Sequence, residues 1–258
     1  MPERILNIGG FIIKIIFECQ TGDNIPLVKS GWYQSVISPF EIKETKKTDF
    51  VIKFKEPAAD GKYFINKKKS LYVKLFTQTG KNELITSPSI NVAQFEIIIE
   101  RVLVYLSQKY GFAFIMHASA AKINRQAYLF LGDKGSGKST IISMIGKKFQ
   151  PLSDDKCLIK MEDDKLYFYQ LPFVEKNNYR KKGVKLPVGK FFILKQADRF
   201  FIKKVNSLKI LDYILNKTTI QNVLSSVKNL SKNVYFLYFS EKDDFLADKL
   251  TSGRIGTF

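Results

Sequence analysis

The segment FLGDKGSGKSTII, residues 130–142, decides the predicted fold of the second half of the chain. It runs from an apolar strand end through a glycine-rich turn into a predicted helix. Gly132 to Ser139 match the pattern G-x-x-x-x-G-K-[ST], and both flanks have the context that this pattern requires. Such a loop directs backbone N–H groups and the dipole of the helix N-terminus at a phosphate. The segment therefore predicts nucleotide binding.

The residues of this loop have different expected roles. Lys138 can reach the β and γ phosphates of a nucleotide, and the Ser139 hydroxyl can bind Mg²⁺. The residues of the loop therefore predict a bound nucleotide and Mg²⁺. The predicted phosphate-binding residues are Gly132, Asp133, Lys134, Gly135, Ser136, Gly137, Lys138, Ser139 and Thr140.

The loop by itself does not identify a reaction, because ATPases, GTPases, kinases and transporters share it. The NKxD pattern of guanine recognition is absent, since the NKKK of residues 66–69 precedes the loop. No LSGGQ-like transporter signature is present either. These observations disfavour a GTPase and a transporter.

An acidic pair follows the loop. Asp154 and Asp155 come 16 and 17 residues after Lys138, between the predicted helix and the next predicted strand. Two carboxylates beside a phosphate can divide the tasks of holding Mg²⁺ and accepting the proton of an attacking hydroxyl. The same dipeptide recurs at residues 163–164 and 243–244, where an exposed turn is the simpler interpretation. Nearness to Lys138 makes the first pair the candidate.

The single histidine of the chain, His117, ends the predicted strand FAFIM. Alone, such a histidine is usually structural or solvated. Beside a phosphate site it can donate to a phosphoryl oxygen or interact with the acidic pair. Its position alone does not establish a catalytic role.

The chain changes character near residue 88. Residues 1–88 show the short strand patterns FIIKIIFE, FVIKFK, KYFI and LYVKLF, separated by turn signals and without a long helical period. From residue 89 a helical pattern ending at Gly111 leads into strands that form a hairpin at the NR dipeptide, residues 124–125. A helix over residues 138–147 follows, with an inward stripe of Ile141, Ile142 and Ile145, and further strands and helices beginning near Ser207 and Thr218 come after it. We expect a β-rich subdomain over residues 1–88 and a mixed α/β domain over residues 89–258.

Composition limits the function classes. The net charge of +18 suggests a polyanion partner, but only 6 of the 42 basic residues are arginine, which disfavours nucleic-acid recognition. The two cysteines, Cys19 and Cys157, form neither a disulfide framework nor a zinc pattern, so a cytoplasmic protein is expected. No uncharged run is long enough to span a bilayer.

Taken together, the segments MHASAAKINRQAYLFLGDKGSGKST (residues 116–140) and PLSDD (residues 151–155) resemble the catalytic core of the HPr kinase/phosphorylase family and its small relatives. That core has a strand ending in histidine, a hairpin, the phosphate loop with its helix, and an aspartate pair. The resemblance therefore implies that the candidate catalytic residues are His117, Lys138, Asp154 and Asp155. The resemblance is specific over residues 112–160 and looser over residues 186–218, and it covers none of residues 1–88.

The resemblance implies a fold and an activity. The fold is an α/β P-loop kinase core of the HPr kinase/PEP carboxykinase-like type with a mixed sheet. The activity is transfer of the γ-phosphoryl group of ATP to a hydroxyl, such as a serine in a peptide or small protein, and some small relatives phosphorylate lasso-peptide precursors. Asp154 would accept the hydroxyl proton, while Ser139 and Asp155 would organise Mg²⁺; the reverse division stays open.

The segment EKNNYRKKGVKLP, residues 175–187, departs from the family. It does not resemble the glycine-containing signature loop of the bifunctional enzymes, so neither HPr as substrate nor phosphorolysis is implied. Seven basic residues and no acidic residue lie between Lys176 and Lys195, and Arg180 is the candidate for stabilising transition-state charge. A solvated basic loop is the alternative interpretation.

Other functions remain open at this stage. A metabolite kinase, an ATP-binding regulatory module that controls a partner protein, and a nucleic-acid-associated ATPase all fit a phosphate loop. Homo-oligomerisation is also open.

Overall fold

The computed structural model describes residues 3–18, 25–56, 75–111, 113–176, 179–205, 233–240 and 246–251. Several expected features lie outside these residues: Cys19, a strand over residues 62–65, most of a strand over residues 71–76, and helices beginning near Ser207 and Thr218.

The chain divides into two compact units. Unit 1 comprises residues 1–106 and 180–183, and unit 2 comprises residues 107–179 and 184–258. The division falls within a helix rather than at residue 88. The domain limits 1–88 and 89–258 stay a prediction.

Unit 1 is built on a five-stranded mixed sheet with the order β1-β2-β3-β5-β4. Strands β2, β3 and β5 are parallel, and the two outer strands run antiparallel to their neighbours. Fully buried residues alternate with partly exposed ones along β3, which is the period of a strand with one buried face. The strands are β1 (Glu3–Ile8), β2 (Phe11–Phe17), β3 (Phe50–Phe54), β4 (Phe76–Gly80) and β5 (Glu83–Thr86).

Unit 1 also contains short helical segments that the sequence did not predict. Helix α1 (Pro26–Lys29), a π turn (Tyr33–Ile37) and a 3₁₀ turn (Ser38–Phe40) lie between β2 and β3. None is long enough to show a 3.6-residue period, so no periodic pattern could reveal them.

Helix α2 (Val92–Tyr110) confirms the helical pattern read from the sequence. Its apolar stripe is buried, with Ile98 and Leu106 fully inaccessible. Asn91 and Gln94 begin it with a capping box, since each side chain accepts the other's backbone N–H at 2.9 Å. Gly111 ends it with a φ of 79°, a conformation that favours glycine.

Unit 2 contains a nine-stranded mixed sheet with two described helices. The main order is β6-β10-β11-β12-β8-β7-β9, with β14 beside β12 and β13 beside β14. Its elements are β6 (Ala113–His117), β7 (Ser119–Ile123), β8 (Gln126–Leu131), α3 (Lys138–Gly146), β9 (Gln150–Ser153), β10 (Lys156–Glu162), β11 (Lys165–Gln170), β12 (Lys185–Gln196), β13 (Phe201–Lys204), β14 (Val234–Phe239) and α4 (Leu246–Thr251).

The mixed pairing has a parallel centre and antiparallel flanks. Strands β8, β12 and β14 are parallel, whereas β6, β10 and β11 pair antiparallel. Two hairpins turn through residue pairs with positive φ, Asn124–Arg125 and Asp163–Asp164. The prediction of a mixed α/β fold is confirmed, as are the β7–β8 hairpin and the turn at the second aspartate pair. The HPr kinase-like type stays a prediction.

Strand β8 illustrates why both faces of this sheet are buried. Leu129 and its alternate neighbours join one apolar cluster with β6, β10 and β12, whereas Phe130 packs on the opposite face with α3. The predicted inward stripe of α3, Ile141, Ile142 and Ile145, is fully buried there. The cores on both sides hold β8 rigidly, and β8 leads into the glycine-rich loop.

No helix among the described residues has an apolar stretch that could cross a membrane.

A charged cluster on β10, β11 and β12 gives a pH-dependent contribution to stability. Burial alone would raise the pKa of the Glu162 carboxyl, but hydrogen bonds from Lys185 and Tyr169, both 2.5 Å long, outweigh it and lower that pKa. Burial and the bond to Glu162 raise the pKa of Tyr169 to about 12.

We expect Glu162→Gln to destabilise unit 2 at neutral pH by about 0.5–1 kcal/mol, because the cluster is partly exposed. A carboxyl whose pKa is lowered by folding stabilises the protein above its unfolded pKa, and this contribution is lost as the pH falls through the folded pKa. Urea unfolding at pH 7 and pH 3 measures the difference. An equal effect of the substitution at both pH values would contradict the assignment.

Candidate active site

The glycine-rich loop, residues 132–137, joins β8 to α3 as the sequence predicted. Helix α3 begins at Lys138, so the backbone N–H groups of its first turn lack intrahelical partners. Ser139 is exposed in that turn, and Thr140 is half-buried beside it. Asp133 and Lys134 are exposed at the tip of the loop. This arrangement presents N–H groups and a positive helix end to an anion.

Three glycines are required by the loop geometry. Gly135 and Gly137 have φ values of 84° and 93°, in the left-handed region that side chains disfavour. A Cβ on Gly137 would also lie 2.6 Å from the Phe239 ring at the end of β14. A Cβ on Gly132 would overlap the Ser136 hydroxyl. The loop thus closes tightly on itself and on the sheet.

The loop contains groups that suit a phosphate. The Lys138 ammonium folds back on the loop and donates to the carbonyl oxygens of Gly132 at 2.7 Å and Asp133 at 3.0 Å. The Ser136 hydroxyl is buried and has no hydrogen-bond partner among the described residues. A phosphate oxygen would accept from both groups and from the loop amides. The residues present therefore fit a nucleotide phosphate.

Strand directions bring the other candidates to the same edge of the sheet. Strand β7 starts beside the end of β8, since Ser119 pairs with Phe130. Strand β9 ends on the far side of β7, where Ser153 pairs with Ala120. His117 comes two residues before β7, and Asp154 directly follows β9. Adjacent strands are about 4.8 Å apart, so Asp154 lies about 10 Å from the strand that carries the loop.

His117 and Asp155 are in direct contact. His117 Nδ1 lies 3.1 Å from Asp155 Oδ1, and the side chains are 42% and 46% exposed. Their contact follows from the register, because His117 pairs with Lys156 across β6 and β10. Both groups are accessible, so an incoming substrate can reach them.

Asp154 has a different environment from its neighbour. It is only 5% exposed, and its carbonyl accepts a 3.0 Å bond from the Ser119 hydroxyl. Its backbone N–H donates to Glu175 Oε2 at 2.8 Å, and its own Oδ1 accepts weakly from the Lys176 N–H at 3.4 Å. The adjacent aspartates therefore differ: one is held inside the protein and the other faces solvent.

Glu175 is the residue of this site that sequence reasoning missed. It is 4% exposed and binds the backbone of Asp154. Burial raises the pKa of the Cys157 thiol, and the Glu175 carboxylate raises that pKa further, so the thiol stays neutral. The only signal in the sequence is an acidic residue directly after the apolar run LPFV, which is too weak to select it.

Metal binding would need the phosphates of a nucleotide. The described residues contain no group of three or more acidic, histidine or cysteine side chains arranged to hold a metal ion. Mg²⁺ usually binds one or two carboxylates together with substrate phosphates and water, so a complete protein cage is not required. Ser139 and Asp155 have the oxygen atoms that this mode uses, and their role stays a prediction.

Arg180 is the sequence candidate for stabilising transition-state charge. Arg180 is exposed and belongs to the segment 180–183, which is grouped with unit 1. Its expected role in stabilising transition-state charge stays a prediction. Of the basic segment, Lys185 is engaged elsewhere, with Glu162.

No protein-family model matches this sequence, and no curated protein matches it. Among solved structures, the chain is similar to the HPr(Ser) kinase/phosphatase from Coxiella burnetii. The two share 13% sequence identity, and the match covers 53% of this chain and 92% of that chain with a TM-score of 0.31. A score this low supports no inference about fold or activity, so the interpretation of the site rests on its own residues.

We expect Gly137→Ala to weaken ATP binding by tenfold or more. The added Cβ would meet the Phe239 ring and would hold a side chain at a φ that costs about 1–2 kcal/mol. Isothermal titration with ATP measures the loss. Gly31→Ala is the matched control, because a Cβ there meets nothing within 4 Å and its φ is not positive. Equal ATP affinity for both variants and the parent would contradict the loop assignment.

Proposed function

We propose that this chain is an ATP- and Mg²⁺-dependent kinase. It transfers a phosphoryl group to the hydroxyl of a serine in a peptide or small protein. One observation carries the proposal: the phosphate loop after β8, the His117–Asp155 contact and the buried Asp154 share one edge of the sheet of unit 2. Transfer to a hydroxyl needs a held phosphate and a carboxylate that reaches the acceptor.

The loop residues have the binding role in this proposal. The Lys138 ammonium exchanges its carbonyl partners for phosphate oxygens, and the loop amides and the Ser136 hydroxyl hold the remaining oxygens. Bound ATP supplies the phosphoryl group, and Mg²⁺ reduces its negative charge. The Ser139 hydroxyl and a carboxylate oxygen of the aspartate pair hold the metal ion.

The environments of the two aspartates support a division of roles that is the reverse of the one implied by resemblance. Asp155 is exposed and contacts His117, whereas Asp154 is buried and its backbone is tied to Glu175. A general base must come within hydrogen-bond distance of the hydroxyl it deprotonates. We therefore assign proton acceptance to Asp155, with His117 orienting it, and the metal-binding carboxylate to Asp154.

A peptide or small-protein acceptor is consistent with the charge of the chain. The net charge of +18 attracts acidic partners over several ångströms at low ionic strength. A lasso-precursor peptide is one member of this substrate class, and a small hydroxylated metabolite is the alternative acceptor. The other alternative is an ATP-binding regulatory module, which would bind ATP without transfer.

We expect the protein to transfer label from γ-labelled ATP to serine-containing peptides, and Lys138→Ala to abolish this transfer. Mass spectrometry then locates the phosphate. Lys147→Ala, an exposed lysine just after α3, is the matched control and should retain transfer. Tight ATP binding with no transfer to any peptide or small hydroxyl compound would select the regulatory module instead.

We expect Asp155→Asn to lower the transfer rate by about 10²–10⁴, the usual contribution of a general base, with ATP affinity nearly unchanged. His117→Gln should lower the rate less, because it removes only the orienting contact. Asp154→Asn should lower the melting temperature as well as the rate, because this residue is buried. If Asp155→Asn kept full transfer while Asp154→Asn lost it without loss of stability, the proton acceptor would be Asp154.

A further inference from the structure

Unit 1 contains a cavity of about 160 Å³ that is partly open to solvent. It lies between α2 and the strands β3, β4 and β5. Aromatic and aliphatic side chains form most of its wall, and two polar side chains, Gln78 and Arg101, complete it. The apolar lining consists of Phe50, Phe76, Leu84, Val102 and Tyr105.

The size of the cavity limits its occupant. An apolar cavity of about 150 Å³ in a protein core can bind benzene, whereas drug-sized ligands occupy pockets of about 300–1,000 Å³. A space of about 160 Å³ therefore holds one aromatic ring or one branched aliphatic group. A nucleotide or an extended peptide segment does not fit inside it.

The walls are shaped by a fixed aromatic pair. Phe50 and Tyr105 meet edge to face, with ring centroids 5.7 Å apart. The Tyr105 hydroxyl donates to Asn82 Oδ1 at 3.0 Å, so this polar group already has a partner within the protein. The cavity thus presents ring surface rather than hydroxyl groups, which favours an apolar ligand body.

Arg101 adds one positive charge to this apolar surface. It is exposed on α2 and makes no ion pair among the described residues. Glu83, the acidic residue next to Leu84 on β5, pairs with Lys53 instead. A guanidinium at the edge of an apolar cavity binds a carboxylate through two parallel hydrogen bonds. The positive charge of Arg101 and the apolar wall together favour a ligand that has a carboxylate group and an apolar side chain.

We propose that this cavity binds a small carboxylic acid with a single apolar ring or branched chain, its carboxylate held by Arg101. The ligand is either a free acid or the last residue of a peptide, since both present this chemistry. The inference does not depend on the proposed kinase activity, because every residue of the cavity belongs to unit 1 and the phosphate loop belongs to unit 2.

The test is direct binding to the full chain, with 3-phenylpropanoate as the free-acid probe and N-acetylphenylalanine as the probe for a peptide end. We expect saturable binding, with shifts of the Leu84 methyl and Tyr105 ring signals in NMR titrations. The neutral probe 3-phenylpropanol should bind at least tenfold more weakly. Binding of 3-phenylpropanoate alone identifies a free acid, and binding of both probes extends the site to peptide ends.

Arg101→Gln should weaken binding of the acid by about tenfold to a hundredfold, since it removes a charge-assisted bidentate contact. The side chain is exposed, so the variant should unfold at the parent's temperature. Arg199→Gln, at an exposed arginine that lies outside the helices and strands, is the charge-matched control and should bind like the parent. No saturable shift at Leu84, or equal affinity of Arg101→Gln and the parent, would overturn the proposal.

Discussion

The contact of Gly137 with the ring of Phe239 is the constraint on which the site depends. It brings the N-terminus of α3 directly against the end of β14, at a backbone conformation that only glycine adopts readily. Gln196, at the end of β12, donates to the carbonyl of Gly135 at 3.2 Å and ties the tip of the loop to a second strand. The loop is therefore held by two strands that are distant from it in the sequence.

The parallel centre of the sheet explains why these contacts coincide. Strands β8, β12 and β14 run in one direction, so their carboxyl ends meet at one edge, where open α/β sheets place their ligand sites. The antiparallel strands β7 and β9 bring His117 and the aspartate pair to this edge from the other side of β8. The candidate site is thus assembled from three connections, β8–α3, β6–β7 and β9–β10, rather than from one motif.

The two aspartates show how packing separates chemically identical neighbours. Asp154 follows β9 into the protein, where Ser119 and Glu175 bind its backbone, and Asp155 turns outward to His117. A pattern of residue types cannot distinguish them, because the difference lies in burial and in partners from β7 and from the segment after β11. Glu175 could not be predicted from the sequence for the same reason, because only its contact with Asp154 places it in the site.

The sequence by itself determined the local features: the glycine-rich loop and its flanking strand and helix, the buried stripe of α3, the turn at Asn124–Arg125, and the apolar period of α2 with its end at Gly111. Each depends on backbone preferences and on apolar spacing within a few residues, which a linear pattern records. Only the tertiary structure decided the order of the strands, the contact of His117 with Asp155, the burial of Asp154 and the cavity beside Arg101. These depend on which distant segments pair and pack, because the free energy of burial depends on the whole core and not on the neighbours in the chain.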